Sequence, residues 1–72
     1  MKDTVIIEKE AIGEYLSKIR KEKGISKYKL IQDCELNMNI VDSIEKGSKA
    51  YTIDSLLRYA EGLGLKIVFE DK

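Results

Sequence analysis

The side chains that carry catalytic chemistry are few in this chain and poorly grouped for it. Histidine is absent and Cys34 is the one cysteine in 72 residues, so no Cys/His cluster offers a structural zinc site and no internal disulfide can form. Cys34 occupies an apolar-facing position and reads as a small buried hydrophobe. The serines lack an evident activating base, and the Asp and Glu residues are scattered over surfaces where they read as solvated charge. Gly47 lacks the Gly-Lys-Ser/Thr ending of a phosphate loop, and Gly62 with Gly64 closes a helical stretch rather than opening one. No enzyme, cofactor or resident metal is expected. What remains is recognition, and it concentrates in ISKYKLIQDCELNMNIVDSIEKG, Ile25 to Gly47. There, three lysines face four acids, and Met38 stands where a polar contact would be more usual.

The elements that must position this stretch can be read from the apolar spacing. Thr4 to Glu8, TVIIE, is short, β-branched and bounded by charge, which suits a brief strand or an extended arm over residues 1–8. From Lys9 onward, Ile12, Tyr15, Leu16 and Ile19 form one stripe of an amphipathic helix that Gly24 can end. Ser26 is an N-cap for a second helix of about two turns carrying Tyr28, Leu30, Ile31 and Cys34. After a break at Glu35 and Leu36, Asn37 caps a third helix with Val41 and Ile44 inward, stopped by Gly47. Thr52, with Ser55 at the N3 position, caps a fourth, whose stripe is Ile53, Leu56, Leu57, Ala60 and Leu63. In residues 65–72 the alternation of Leu65, Ile67 and Phe69 with Lys66, Val68 and Glu70 predicts a closing strand. Such a strand needs a partner, either TVIIE or a strand of a second molecule.

Bulk composition bounds the partners. The chain makes one domain at most, near the size where a single core is only marginally sufficient, so a second chain is a live expectation. An apolar share of 43% with 36% charged residues is that of a folded soluble domain. Thirteen Lys plus Arg balance thirteen Asp plus Glu, so no global basic field advertises nucleic-acid binding, and any basic patch must be assembled locally. No apolar run approaches the roughly 20 residues that span a bilayer, and no signal-peptide core is visible. The expected compartment is the cytoplasm, with no membrane association.

The segment IRKEKGIS leads into the second helix, Leu30, Cys34, Leu36, Val41 and Ile44 keep apolar register, and SIEKG stands at Ser43 to Gly47. Together these resemble the phage repressor and Cro-like helix-turn-helix family, also called the Xre family, over about residues 9–64. The resemblance implies a mainly α, repressor-like helix-turn-helix domain of four to five helices, to which the residue pattern adds short N- and C-terminal β-strands expected to pair in a dimer. It implies a sequence-specific DNA-binding regulator of transcription that places the Asn37 to Lys46 helix in the major groove. Small members of similar architecture include antitoxins, so a toxin is one conceivable protein partner.

Within that implied frame, Asn39 suits a bidentate pair to adenine, Ser43 donates or accepts, and Met38 suits a thymine methyl. Asn37 divides between capping the helix and approaching the DNA. Asp42 repels phosphate and can accept only from cytosine N4, so it reads as a solvated face residue. Phosphate contacts are expected from Lys27, Lys29, Lys46, Lys49 and Tyr51. The resemblance pairs Glu45 with Arg20 as a structural ion pair, and Leu65, Ile67 and Phe69 would carry dimerisation. The chain departs from the family's habits in four places: Lys27 for Gln, Ile31 for a small residue, Glu35 for Gly, and Ile40 for a polar residue. Neutral net charge, Met38 and Ile40 leave an alternative: an antitoxin-like or protein-interaction module with weak or lost DNA binding.

Overall fold

A computed structural model describes residues 4–47 and 49–71. Four helices follow one another, α1 (Thr4–Glu22), α2 (Lys27–Cys34), α3 (Met38–Lys46) and α4 (Ile53–Gly62). α1 packs on α3, and α2 packs on both α3 and α4. The core between them is Leu16, Leu30, Leu36, Val41, Ile44, Tyr59 and Leu63, with Ile19, Ile31, Cys34, Ile40, Leu56 and Leu65 packed around it.

Local signals in the sequence fix the ends of these helices. Ser26, Asn37 and Thr52 each hold an extended backbone and accept a backbone N–H from the residue three positions on, at Lys29, Ile40 and Ser55. Each thereby satisfies a donor that the first helical turn leaves over. At the far end of α1, the Ile25 amide donates to the Arg20 carbonyl and the Gly24 amide to the Lys21 carbonyl. α4 ends the same way, with Leu65 to Ala60 and Gly64 to Glu61. Both are Schellman closures, which need a residue of positive φ at their hinge. α2 closes on Glu35 at φ 55°, so here an L-residue takes up the left-handed turn in the middle of the two-helix unit.

Two sequence expectations are corrected. Thr4 to Glu8 is not a strand or arm but the start of α1, which runs 19 residues. Once a helix is nucleated each added residue gains a hydrogen bond, and the β-branched penalty of tenths of a kcal/mol per residue does not offset this. With that segment helical, the C-terminal stretch has lost its intrachain partner, and no strand forms among the described residues. Leu65 packs on the core, whereas Ile67, Val68 and Phe69 run on exposed without a ladder. Residues 1–3 of the expected arm and residue 72 of the expected strand lie outside the described residues.

The stripe on α1 is also displaced from its expected position. Gly13, Leu16 and Arg20 are its buried positions, while Ile12 and Tyr15 face outward. Gly13 explains the shift. A Cβ there would overlap the carbonyl oxygens of Ile44 and Glu45, so α1 and α3 cross closely enough that only a bare Cα fits. At the other side of the crossing, a Cβ on Gly47 would lie 2.7 Å from backbone atoms of Lys9 and Glu10.

Candidate nucleic-acid interface

α3 divides its faces cleanly. Val41 and Ile44 are fully buried, which turns Met38, Asn39, Asp42, Ser43 and Lys46 to the outside, on successive turns of one face. Neither α2 nor α3 has an acid in its first turn, so the partial positive charge at both helix starts is not neutralised locally. Ile40 is partly buried and packs at the edge of the core.

Several of the expected base-reading groups have internal duties. The Asn37 side-chain oxygen accepts the Ile40 amide at 2.9 Å, leaving its NH2 group for outward donation. The Ser43 hydroxyl donates to the Asn39 carbonyl at 2.8 Å, so outward it presents lone pairs. Met38 and Asn39 are exposed, Met38 at 44%.

The acids of the segment are each engaged by a cation. Lys27 Nζ lies 2.9 Å from Asp42 Oδ1, Lys29 Nζ lies 2.9 Å from Asp33 Oδ2, and Arg58 Nη1 lies 3.3 Å from Glu35 Oε2. The fourth acid, Glu45, receives Arg20 Nε at 2.8 Å with both side chains only 8% exposed. Arg20 also donates through Nη2 to the second Glu45 oxygen and through Nη1 to the Ile25 carbonyl. Tyr59 adds a short hydrogen bond from its hydroxyl to Glu45 Oε2. The structure thus joins Arg20 and Glu45, and ties both to α4 and to the turn before α2.

Electrostatics follow from these contacts. Burial works against a charged Glu45, but hydrogen bonds from Arg20 and Tyr59 outweigh it and hold the carboxyl below its usual range. The Arg20 guanidinium is correspondingly more firmly protonated, chiefly through its hydrogen bond to Glu45. Burial, and then the Glu45 carboxylate, push the Tyr59 hydroxyl far above the ordinary phenol range. Asp42 is held low, first by its hydrogen bond from Lys27.

The expected phosphate contacts therefore fall into two groups. Lys27 and Lys29 are tied to acids, whereas Lys46 and Lys49 are exposed at the end of α3 and in the loop beyond it. Tyr51 is half-buried against the core, where burial raises its phenol pKa. Leu65, Ile67 and Phe69 lie on the side where α1 and α4 meet the C-terminal segment, together with Ile12, Tyr15 and Leu56. Among the described residues no acidic or cysteine side chains gather into a metal-holding group, and no helix is long and apolar enough to cross a membrane.

Three features escape sequence reading. Lys9 donates to the Lys49 carbonyl at 2.8 Å and stands 5.1 Å from the Tyr51 ring centre, a cation–π contact that fastens the loop to α1. Tyr59, an aromatic residue outside the expected α4 stripe, carries the hydrogen bond to Glu45. The Lys27 to Asp42 pair joins residues 15 apart, a spacing that means nothing until the two helices are docked.

Two short helices joined by a tight turn, the second with its outer face turned to solvent and no acid in its first turn, define a helix-turn-helix DNA-binding domain. A family model of the Cro/C1-type HTH DNA-binding domain matches residues 15–68, and the chain belongs to that family. Searches among curated proteins and among solved structures gave no match.

Proposed function

We propose that this DNA-binding protein is a sequence-specific, repressor-like regulator of transcription in the cytoplasm, acting by binding and not by catalysis. The observation that carries the proposal is the pairing of all four acids between Ile25 and Gly47 with basic partners. A stretch that is net acidic by count is thereby locally neutral, and the exposed lysines 46 and 49 tip its edge positive. α3 enters the major groove with Met38, Asn39 and Ser43 nearest the bases and the Asn37 NH2 group at the rim. The test is a salt titration of binding to random and selected duplexes. A log-log slope of about −0.9 per phosphate contacted supports direct DNA binding. No binding by the intact protein at low salt refutes it.

The regulator acts as a homodimer, two α3 helices reading half-sites about one helical turn apart. Supporting this is the apolar groove of Ile12, Tyr15, Leu56 and Leu65, flanked by Phe69, which is 89% exposed. A second copy presents the same apolar side chains to cover it, as a two-fold interface requires. Sedimentation of the whole chain, of Phe69→Glu and of a chain ending at 64 tests this, and a monomeric mass for the whole chain refutes it. The exposed Phe69 and Met38 also favour a second reading, an antitoxin-like module that holds a protein such as a toxin. That reading gains if the protein binds no duplex yet Phe69→Glu abolishes a purified partner complex.

A further inference from the structure

The middle of the outward face of α3 holds an ion pair rather than an open reader. Asp42 is one turn beyond Met38 and one turn before Lys46, and its Oδ1 accepts from Lys27 Nζ at 2.9 Å. Lys27 is the first residue of α2, directly after the Ser26 cap. Its ammonium therefore stands between the start of one helix and the reading face of the other. The two side chains are 37% and 34% exposed, so both are open to solvent on the outward side of α3. Glu45 also feels the Lys27 charge, but its own oxygens are taken by Arg20 and Tyr59. Asp42 is thus the acid that competes for Lys27.

A phosphate arriving at Lys27 must displace a carboxylate already in hydrogen-bonding contact, and then sit beside that carboxylate. Both terms disfavour binding. They reverse if the base pair under Asp42 presents an amino group, because a carboxylate can accept from cytosine N4 in the major groove. Asp42 then has a new donor, and Lys27 is released to the backbone.

Resting on the DNA-binding reading above, we infer that Asp42 is a specificity-determining residue that locks Lys27 away from phosphate on non-cognate DNA and surrenders it at a half-site presenting cytosine N4. Base readout and phosphate contact are thereby coupled through one ion pair. The carboxyl stays charged throughout the neutral range, held low by its hydrogen bond to Lys27 and by the nearby Lys46 charge.

Fluorescence anisotropy with a random-sequence duplex, between about 50 and 200 mM salt, reads the lock directly. Asp42→Ala binds the random duplex more tightly, and its log-log salt slope is steeper than wild type by about 0.9, the signature of one more phosphate contact. Adding Lys27→Ala returns the slope to the wild-type value. Selection from a randomised duplex pool enriches C·G at one position per half-site for wild type, loses that preference by roughly tenfold for Asp42→Ala, and moves it toward A·T for Asp42→Asn. Thermal melts by circular dichroism confirm that each variant is folded, and Asp42→Asn serves where Asp42→Ala is not. An unchanged salt slope in the Asp42 variants overturns the lock, whatever happens to base preference. A wild-type selection with no C·G position overturns the coupling. Failure of wild type and Asp42→Ala alike to bind any duplex overturns instead the DNA-binding reading beneath both.

Discussion

Replacing Arg20 by Met tests the electrostatic arrangement that seats α3. The aliphatic stem is kept while Glu45 loses the guanidinium at 2.8 Å, in a position where only 8% of each side chain meets solvent. Breaking a buried pair by removing one partner costs about 3–5 kcal/mol, because the remaining charge is left uncompensated. Residual solvent access and the surviving Tyr59 hydrogen bond place the cost at the lower end, about 3 kcal/mol. A domain of 72 residues has in total about 4–11 kcal/mol, so the variant is folded but visibly weakened. The pH dependence gives a sharper signature. In wild type the Glu45 carboxyl is held below its ordinary 4.5, so its contribution to stability is complete above that value and fades as pH falls through the folded-state pKa. Burial is the largest single influence on Glu45 and favours the protonated form. Without Arg20 burial is opposed by less, the folded pKa rises relative to wild type, and the stabilisation that the carboxylate gives toward neutral pH shrinks. Urea denaturation from about pH 4 to about pH 7 measures both effects. Wild-type stability holds or rises over that range, whereas that of Arg20→Met falls relative to it. Adding Glu45→Gln, which keeps an acceptor for Tyr59, recovers much of the loss and brings the pH trend of the double variant to that of Glu45→Gln alone. A loss under about 1 kcal/mol, the ceiling for exposed pairs, or a pH trend unchanged from wild type, refutes this account of the network.

Three further substitutions probe other parts of the structure. Gly13→Ala drives a methyl into the Ile44 and Glu45 carbonyls and lowers stability by about 1–3 kcal/mol, read from the urea midpoint. Glu35→Gly removes the left-handed strain at φ 55°, worth about 1–2 kcal/mol, against about 0.5–1 kcal/mol of glycine entropy. Its exposed contact with Arg58 adds little, so Tm rises by roughly 2–4 °C. Asn39→Ala leaves the thermal melt unchanged and weakens one DNA sequence preferentially, by about 1–3 kcal/mol in competition anisotropy. A uniform loss across sequences contradicts direct readout by Asn39.

Much of the helical frame is legible in the chain because its signals are local. Ser26, Asn37 and Thr52 cap from within three residues, and Gly24 and Gly47 end helices where positive φ is required. The inward face of α3 follows from two residues, Val41 and Ile44. The terminal segments are not legible in the same way, because short β-branched or alternating runs state a preference that only a neighbouring strand can realise, and helix extension through Thr4 removes the neighbour. The stripe of α1 likewise depends on a neighbour. Ile12 is the more apolar residue, but Gly13 is the one that fits against α3. Base-facing candidates on α3 were legible as a set, while their internal engagements, Asn37 with Ile40 and Ser43 with Asn39, depend on helix geometry. The Lys27 and Asp42 pair needs two helices docked before it has any meaning.

The link from Lys9 to the loop beyond α3 has a bearing on how the molecule opens. Its two ends are 40 positions apart, and between them lie the remainder of α1 and the whole of α2, the turn and α3. Further in, the close crossing at Gly13 and the Arg20 to Glu45 pair bind the same two helices. α1 is therefore joined to α3 at two heights and to the loop that follows α3 at a third, so the opening of one helix loosens the other. In hydrogen-exchange terms α1 and α3 form one opening unit: their amides share one protection level, and Lys9→Ala lowers that level in both helices together.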